Sequence, residues 1–357
     1  MKLSHSGGLG IKRVALVLVG TLLGIFFFYL AFRDISWNDL IDGVRQMHTI
    51  YLLPCTAIML LIQFIRARRF GLILSPFCRL SAKDLWDMLN IWAGATMIMP
   101  ARLGELVRPY LLRRRGASFS SGLGAVMVER FFDLSGLLLL LALVLWTTPQ
   151  VPSGFMLLGR ALLVMLIAGY LMVWLILTRR ERFRRAVNKV TSLLPTSAGT
   201  FVQGIVLRLI DGFGIMASGK QVLIIGFYSV SIWVLFSCLT YLFLLAFSVR
   251  APFLVAVTIN VFICFGVALP SAPGFIGTFH AAGRYALALF GVKAVVAISF
   301  ATVYHLFSLV ICVVLGLVAL STGNFRFQQV MASSVAEELV PSEETELVSS
   351  GEFNQHG

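Results

Sequence analysis

Ionisable side chains inside apolar segments are the residues of this sequence best suited to chemistry. Glu129, Arg130 and Asp133 interrupt a hydrophobic run over residues 122–146. In a helix that rises 1.5 Å per residue, Glu129 and Asp133 would lie ~10 and ~17 Å inside a membrane. A single charge near the membrane centre costs ~2.5–3.5 kcal/mol. We therefore expect these side chains to find charged partners, either lining a polar path through the membrane or forming an ion pair that locks helices together.

A second group of charges follows a proline, in the segment Pro100-Ala-Arg-Leu-Gly-Glu105-Leu-Val-Arg108. The spacing puts Arg102, Glu105 and Arg108 on adjacent turns of a short helix, which proline tolerates at its first position. Because helix N-termini attract anions, Arg102 is a candidate phosphate ligand, with Glu105 as its counter-charge or as a proton carrier. For Arg108, a plain cytoplasmic surface charge is an equally open interpretation.

A third group surrounds a break in a later apolar stretch, Pro270-Ser-Ala-Pro-Gly-Phe-Ile-Gly277. Two histidines and an arginine follow this break. A lone histidine in a helix bundle is usually a packing residue, but this combination near a Gly/Pro break is as typical of a binding or coupling site. The candidate residues of this group are Pro270, Pro273, Gly274, Gly277, His280, Arg284 and His305.

No enzyme or cofactor motif accompanies these charges. The five cysteines are scattered without CxxC spacing, so we expect no zinc site and no disulfide framework. Residues 214–220 fit the pattern G-x4-G-K, but Gln221 stands where a P-loop needs Ser or Thr. We therefore predict no catalytic residues, no metal and no cofactor.

The composition places these groups in a membrane protein. Of the 357 residues, 59% are hydrophobic and 13% are charged, and the mean hydropathy is +0.91. Soluble chains carry roughly 25% charged residues, so a soluble globular enzyme is excluded as the default. The net charge is +13, and the basic residues flank apolar segments. We therefore expect an anionic membrane surface, and not a nucleic acid, as the partner of that charge.

Six stretches are long and apolar enough, or nearly so, to cross a membrane. The loops at 1–13, 66–84, 106–118 and 178–220 are rich in Lys and Arg, whereas the alternate loops are poor in them. The positive-inside rule then places both termini in the cytoplasm, in a bacterial-type inner membrane. The six predicted spans are 14–32, 50–65, 122–146, 155–177, 221–247 and 294–320.

Two further apolar regions are broken by Pro and Gly. Residues 85–115 begin and end beside loops that are rich in Lys and Arg. Residues 253–293 begin and end beside loops that are poor in these residues. We predict two re-entrant hairpins that enter from opposite faces, in a possible inverted repeat around a midplane site. Two ordinary Pro-kinked spans in each region are the alternative.

The fold class predicted is therefore an all-α polytopic bundle of six full spans and two hairpins. Its parts are a cytoplasmic N-terminus at 1–13, a membrane domain at 14–325 and a disordered acidic cytoplasmic tail at 326–357. Within the membrane domain, residues 178–220 form a cytoplasmic insert, which we interpret as a solvated, lipid-facing surface element.

The three motifs, taken in order, resemble those of the lysylphosphatidylglycerol synthase transmembrane-region family, also called flippase-like domain proteins. They are the segment from Pro100 to Arg108, Glu129-Arg-Phe-Phe-Asp133, and Pro270-x-x-Pro-Gly-Phe-Ile-Gly277. The resemblance covers about residues 10–325 and implies an integral membrane fold that moves aminoacylated, isoprenoid or glycosylated lipids between leaflets. Some members add a soluble aminoacyl-transferase domain, for which this chain has no room, so we do not expect lysyl transfer.

The sequence departs from the family at two positions: His280 stands where an acid is common, and His305 where an arginine is common. Our prediction is a lipid flippase or transporter that binds an anionic headgroup. The alternatives are a membrane subunit of a glycosyl or aminoacyl transferase and a scaffold for a lipid-modifying complex. The expected partners are lipids with a phosphate-bearing headgroup, a lipid-modifying enzyme, and a second copy of the chain, which Gly20-x-x-x-Gly24 would permit.

Overall fold

In the computed structural model, the described residues are 7–148, 152–193, 196–213, 218–269 and 271–323. They form thirteen α-helices and no strand. The prediction of an all-α polytopic membrane protein is confirmed. Residues 1–6 of the predicted N-terminus, Pro270, and the predicted acidic tail at 326–357 lie outside the described residues.

The helices are joined by short connections, three of which contain 3₁₀ turns. The 3₁₀ segments are Thr49–Tyr51, Pro100–Leu106 and Pro273–Phe275. The α-helices are α1 (Gly7–Phe32), α2 (Trp37–Arg45), α3 (Leu52–Leu74), α4 (Ala82–Ile98), α5 (Val107–Arg113), α6 (Phe119–Thr147), α7 (Ser153–Thr178), α8 (Arg180–Thr191), α9 (Thr196–Phe213), α10 (Gly219–Ala246), α11 (Phe253–Ala268), α12 (Thr278–Ala288) and α13 (Ala294–Thr322).

Within the described residues, four helical stretches are long and apolar enough to cross a membrane: Thr49–Leu74, which includes α3, and α7, α10 and α13. The bent pair Leu18–Phe32 and Trp37–Arg45, with 75° between its two parts, would be a fifth. Helix α6 has 29 residues, enough length for a span, but it carries the three charges of the second motif. The predicted number of six spans stays a prediction.

The first broken region folds back on itself. Helix α4 has 17 residues and is therefore ~25 Å long. The chain then turns through the 3₁₀ segment Pro100–Leu106 and returns along α5, which packs against α4. Directly after α5, Arg115 bonds Asp84 in the first turn of α4 at 2.5 Å. Residues 84 and 115 therefore lie at the same end of a helical hairpin, as the sequence predicts.

The second broken region is also a hairpin. The rings of Phe262 on α11 and Tyr285 on α12 lie 5.8 Å apart, while Gly266 faces the first turn of α12. The two helices therefore run antiparallel. Gly274 and Gly277 adopt φ values of +68° and +91° at the tip, a conformation that favours glycine.

The tips of the two hairpins meet inside the bundle. Some Cα atoms of the segment Pro100–Leu106 lie within 8 Å of Cα atoms of the segment Pro273–Phe275. Helix α1 covers the second tip through Gly20, which faces the backbone of Ser271, and Gly24, which faces Ala272 and Ile276. The Gly20-x-x-x-Gly24 pair thus serves a contact within the chain. That both hairpins enter a bilayer from opposite faces stays a prediction.

The same order of elements occurs twice along the chain. A long helix, short helices, a long helix, a broken hairpin and a long helix run from α1 to α6 and again from α7 to α13. Corresponding pairs pack alike: α3 on α4 and α10 on α11, then α5 on α6 and α12 on α13. This order supports the predicted repeat.

The insert between α7 and α10 contains α8 and α9. Helix α9 packs along α6, and the rings of Phe213 and Phe131 lie 5.4 Å apart in an edge-to-face arrangement. Helix α9 therefore packs on the bundle along α6, and the interpretation of residues 178–220 as a solvated, lipid-facing cytoplasmic insert stays a prediction. In contrast, only 6% of the membrane-spanning stretch of α7 is buried within the chain, so most of its apolar surface is left for lipid.

Candidate functional site

Glu129 is the centre of a buried ionic network. It lies on α6 and is 1% exposed. Arg69 on α3 donates to its Oε1 atom at 2.9 Å, and Arg108 on α5 forms an ion pair with its Oε2 atom. One carboxylate therefore joins α3, α5 and α6. An ionised carboxylate this deep needs such partners, because an unpaired charge is costly in hydrocarbon.

Asp133, one turn further along α6, shares Arg69 with Glu129. Arg69 Nη1 lies 2.6 Å from its Oδ1 atom, and Arg130 Nη1 lies 3.4 Å from its Oδ2 atom. Arg69 Nη1 also donates to Ser229 on α10 at 2.9 Å. The side chain of Asp133 is 19% exposed and that of Arg130 is 41% exposed. Asp133 and Arg130 therefore form the open edge of the network.

Arg108 is fully buried, which overturns its interpretation as a cytoplasmic surface charge. Its guanidinium lies 4.2 Å from the ring centre of Trp92 and 4.8 Å from that of Phe70. Glu105 faces it at 3.5 Å across one turn. Such stacking on aromatic faces stabilises a desolvated guanidinium.

Arg66 and Arg69 are functional candidates that the sequence reading missed. The expectation that residues 66–84 form a loop is wrong at its start, because α3 continues to Leu74. Arg66 stacks between Trp92, at 5.8 Å, and Phe236, at 5.0 Å from its guanidinium carbon. The sequence does contain a signal for these two arginines, because Gln63, Arg66 and Arg69 follow one another at intervals of three residues and so lie near one face of a helix.

A chain of amides extends the network along α3 and α4. Arg66 donates to Gln63 at 3.3 Å, Gln63 donates to Asn90 at 3.0 Å, and Asn90 donates to the Trp86 carbonyl at 2.9 Å. Gln63 and Asn90 are both buried. These bonds hold Arg66 beside Trp92. We call the charged residues of the whole network the arginine–carboxylate cluster, which consists of Arg66, Arg69, Glu105, Arg108, Glu129, Arg130 and Asp133.

The charges of this cluster do not balance. Four arginines face three carboxylates, and among the described residues Arg66 has no carboxylate oxygen within 4.0 Å. Buried N–H groups are also left over: the Nε atoms of Arg69, Arg108 and Arg130 and Nε1 of Trp92 find no acceptor in the part of the chain that the structure describes. The cluster thus combines surplus positive charge with unused donors.

The two histidines lie together at the second hairpin. The rings of His280 on α12 and His305 on α13 are 4.9 Å apart, edge to face. His305 Nε2 lies 2.6 Å from the carbonyl oxygen of Gly274, and His280 packs against Phe32 of α1. His280 Nδ1 is buried without a hydrogen-bond partner among the described residues. Pro273 and Gly277 bound the turn that His305 holds.

Arg284 points away from both groups. It donates to the carbonyl of Ala31 at 2.6 Å and pairs with Asp34 at 3.1 Å, so it caps the C-terminal end of α1. The hydrogen bond from Arg284 lowers the pKa of Asp34 below the ordinary carboxyl value. Arg284 therefore holds the end of α1 in place. Its part in binding or coupling stays a prediction.

The structure therefore brings the predicted residues together in two groups. Glu105, Arg108, Glu129, Arg130 and Asp133 form one, and the histidine pair with Gly274 forms the other. Within the described residues, no hydrogen bond, ion pair or ring contact joins the two groups, although the hairpin tips touch. The side chain of Arg102 and all of Pro270 lie outside the described residues. A single shared cavity stays a prediction.

The described residues hold no group of three or more His, Cys, Asp or Glu side chains with metal-binding geometry. The cluster is built instead of guanidiniums and carboxylates. Its surplus donors suit an oxygen-rich anion such as a phosphate, which arginine binds in a bidentate manner.

Comparison with known proteins agrees with this architecture. Residues 17–316 match the family described as the lysylphosphatidylglycerol synthase TM region. A UPF0104 membrane protein of Methanothermobacter thermautotrophicus is 28% identical over 265 residues, which cover 71% of this chain and 77% of that protein. A second UPF0104 membrane protein of the same organism is 27% identical over 218 residues, which cover 55% of this chain and 61% of that relative.

Proposed function

Since the chain belongs to the lysylphosphatidylglycerol synthase TM-region family, we propose that it binds the anionic headgroup of a membrane lipid at the arginine–carboxylate cluster and carries that lipid between leaflets. The observation that carries the proposal is Arg66, a guanidinium inside a membrane-spanning stretch with no carboxylate partner among the described residues. A phosphate would supply the missing negative charge.

The unused donors support a ligand with several acceptor atoms. Trp92 and Arg108 present buried N–H groups near Arg66, because both arginines stack on the Trp92 ring. A buried donor without an acceptor costs ~1–3 kcal/mol. A phosphate or similar oxyanion that accepted two or three of these bonds would recover that free energy and so bind selectively.

The exposure gradient of the cluster supports a route for the lipid. Glu129, Arg69 and Arg108 are buried, whereas the Arg130 side chain is 41% exposed. A headgroup would meet Arg130 first and Arg66 next, and its acyl chains would remain in the bilayer. Charges that line such a path are the usual mark of a transport route through a membrane protein.

Glu105 is the best candidate for coupling transport to protons. Its side chain is 30% exposed and makes one ion pair, to Arg108, at 3.5 Å. Its Oε2 atom is buried without a hydrogen bond among the described residues. Asp133, in contrast, pairs with two arginines and is better suited to a structural part. The lipid gradient itself is the other driving force.

A transport assay with a matched pair of arginine variants tests the proposal. Purified protein is placed in vesicles that contain phosphatidylglycerol with a fluorescent acyl chain. Quenching by dithionite then reports the fraction of the labelled lipid that lies in the outer leaflet. Arg66→Gln should abolish transfer. Arg68→Gln removes the same charge from the exposed side of the same helix, where Arg68 lies 6.0 Å from the Phe64 ring, and should leave transfer intact.

Equal transfer by the two variants, or no difference between wild-type and protein-free vesicles, would contradict the proposal. The same assay with a fluorescent phosphatidylcholine tests the headgroup. If this zwitterionic lipid, which has no net charge, moves as fast as phosphatidylglycerol, then anion recognition at Arg66 is not the basis of transfer.

A further inference from the structure

We infer that the junction of α7 and α8 is a second lipid-binding site, which holds one acidic phospholipid at the membrane surface. The site is a groove of about 350 Å³ lined by Leu175, Arg179, Arg182, Phe183 and Ala186. Small-molecule pockets are typically about 300–1,000 Å³. We call it the α7–α8 groove. It shares no residue with the arginine–carboxylate cluster and does not depend on the transport proposal.

The groove lies at a break between two helices, where Arg179 has non-helical backbone angles of φ −121° and ψ 33°. Helix α7 ends at Thr178 and α8 begins at Arg180, so Arg179 is the only residue between them. Leu175 and Arg179 are one turn apart at the end of the membrane-spanning helix, and Phe183 and Ala186 line the facing side of α8. The floor is therefore apolar, and it begins at the end of a helix that is nearly all exposed to lipid.

The rim of the groove is cationic. Arg179 and Arg182 have no carboxylate within 4.0 Å among the described residues, and both are exposed. Helix α8 carries five basic residues, and Glu181 is its only acid. That acid does not line the groove. The site thus presents two free guanidiniums above an apolar floor.

This arrangement matches an acidic phospholipid more closely than it matches a free anion or a neutral lipid. The phosphate would lie between Arg179 and Arg182, and the first part of an acyl chain would cover Leu175 and Phe183. Helices with basic residues on one face and apolar residues on the other lie in the membrane interface. Phe183, Val187 and Val190 form such an apolar stripe on α8, at positions i, i+4 and i+7.

The consequence for the molecule is a fixed lipid beside the insert. Helix α8 packs against α9, and α9 packs along the charged helix α6. A lipid that occupies the α7–α8 groove would hold α8 in the plane of the membrane surface and thereby hold α9 on α6.

Native mass spectrometry of the purified full chain in neutral detergent tests the site, with dioctanoyl phosphatidylglycerol as the probe. Wild type should retain this lipid in the groove. Arg179→Gln with Arg182→Gln should weaken retention by about thirtyfold. Arg185→Gln with Lys189→Gln removes the same charge from α8 at positions outside the groove and should weaken retention by less than threefold.

Three outcomes would overturn the inference. Equal loss in both double variants would mean that α8 attracts anions only through its overall charge. Equal retention of dioctanoyl phosphatidylcholine would mean that the groove holds any acyl chain. Displacement of the lipid by millimolar inorganic phosphate would mean that the apolar floor contributes nothing. All three proteins are also measured with Arg66→Gln, which lies outside the groove and should remove lipid binding at the arginine–carboxylate cluster, so that the lipid still retained reports the groove.

Discussion

Glu129 and its two fully buried arginine partners, Arg69 and Arg108, illustrate why single charges matter so much inside a membrane. Each of Arg69, Arg108 and Glu129 is at most 1% exposed, so none can turn to water if its partner is lost. Their mutual attraction offsets the cost of leaving water only while all three remain. Arg66 differs, because it stacks on aromatic rings and leaves its charge unmatched.

The variant Glu129→Gln should therefore lower the free energy of unfolding by about 3–5 kcal/mol. It leaves Arg69 with Asp133 alone and Arg108 with only the distant Glu105. Thermal unfolding of the purified protein, followed by tryptophan fluorescence, measures the loss. A melting temperature within roughly 2 °C of wild type, which corresponds to a change below about 1 kcal/mol, would show that the network does not hold these helices.

The variant Glu105→Gln should behave differently, with a stability loss below about 1 kcal/mol, since its one ion pair is long and its side chain is partly exposed. If Glu105 carries the coupled proton, transport by this variant should no longer respond to an imposed pH gradient across the vesicle. The measurement is the transfer rate with and without the gradient. A destabilisation as large as that of Glu129→Gln would instead assign Glu105 a structural part.

The charged residues inside apolar runs and their local pairings could be predicted from the sequence. Their contacts with residues far away in the sequence could not. Glu129, Arg130 and Asp133 are conspicuous because they interrupt an apolar run, and the pairing of Arg130 with Asp133 follows from their spacing. Arg69 is 60 positions from Glu129, and no local spacing predicts that contact. Arg66 and Arg69 also resemble the basic flank of a span, which is why the end of α3 was placed too early.

At the scale of elements, the two broken hairpins organise the bundle. Their positions could be predicted from Pro and Gly, because these residues interrupt helices in recognisable ways. The packing of α1 on the second tip could not, since it depends on Gly20 and Gly24 meeting a backbone some 250 positions away. The attachment of α9 to α6 was likewise hidden, because its apolar face is equally suited to lipid.

The variant Gly24→Ala should destabilise the protein by about 1–3 kcal/mol through overpacking. A Cβ atom at Gly24 would lie 2.7 Å from Ala272 Cβ and 2.9 Å from the Ala272 nitrogen. Gly226→Ala on α10 is the matched control, because its Cβ atom meets nothing within 4 Å and alanine favours the helix by roughly 1 kcal/mol. Chemical or thermal unfolding of both proteins measures the contrast, and similar stabilities would contradict the tight contact at the hairpin tip.

The molecule as a whole has two copies of one element order, which an inverted arrangement in the membrane would explain. The distribution of Lys and Arg predicts that residue 150, which precedes α7, and residue 190, in α8, lie on opposite sides of the membrane. In a cysteine-free background, Gln150→Cys should react with an impermeant maleimide in intact cells. Val190→Cys should react only after permeabilisation, although Val190 is 61% exposed in the chain. Labelling of position 190 in intact cells would reverse the predicted orientation.

The distance in sequence between Arg69 and Glu129 also constrains how the chain enters the membrane. A ribosome that adds about 5–20 residues per second needs roughly 3–12 s to proceed from one to the other. During that interval Arg69 has been synthesised, but its carboxylate partners Glu129 and Asp133 have not. Helix α3 must therefore wait at the insertion machinery or the membrane surface until α6 follows. The ionic network would then couple the lateral release of α3 to that of α6, so Glu129→Gln should lower the yield of inserted protein as well as its stability.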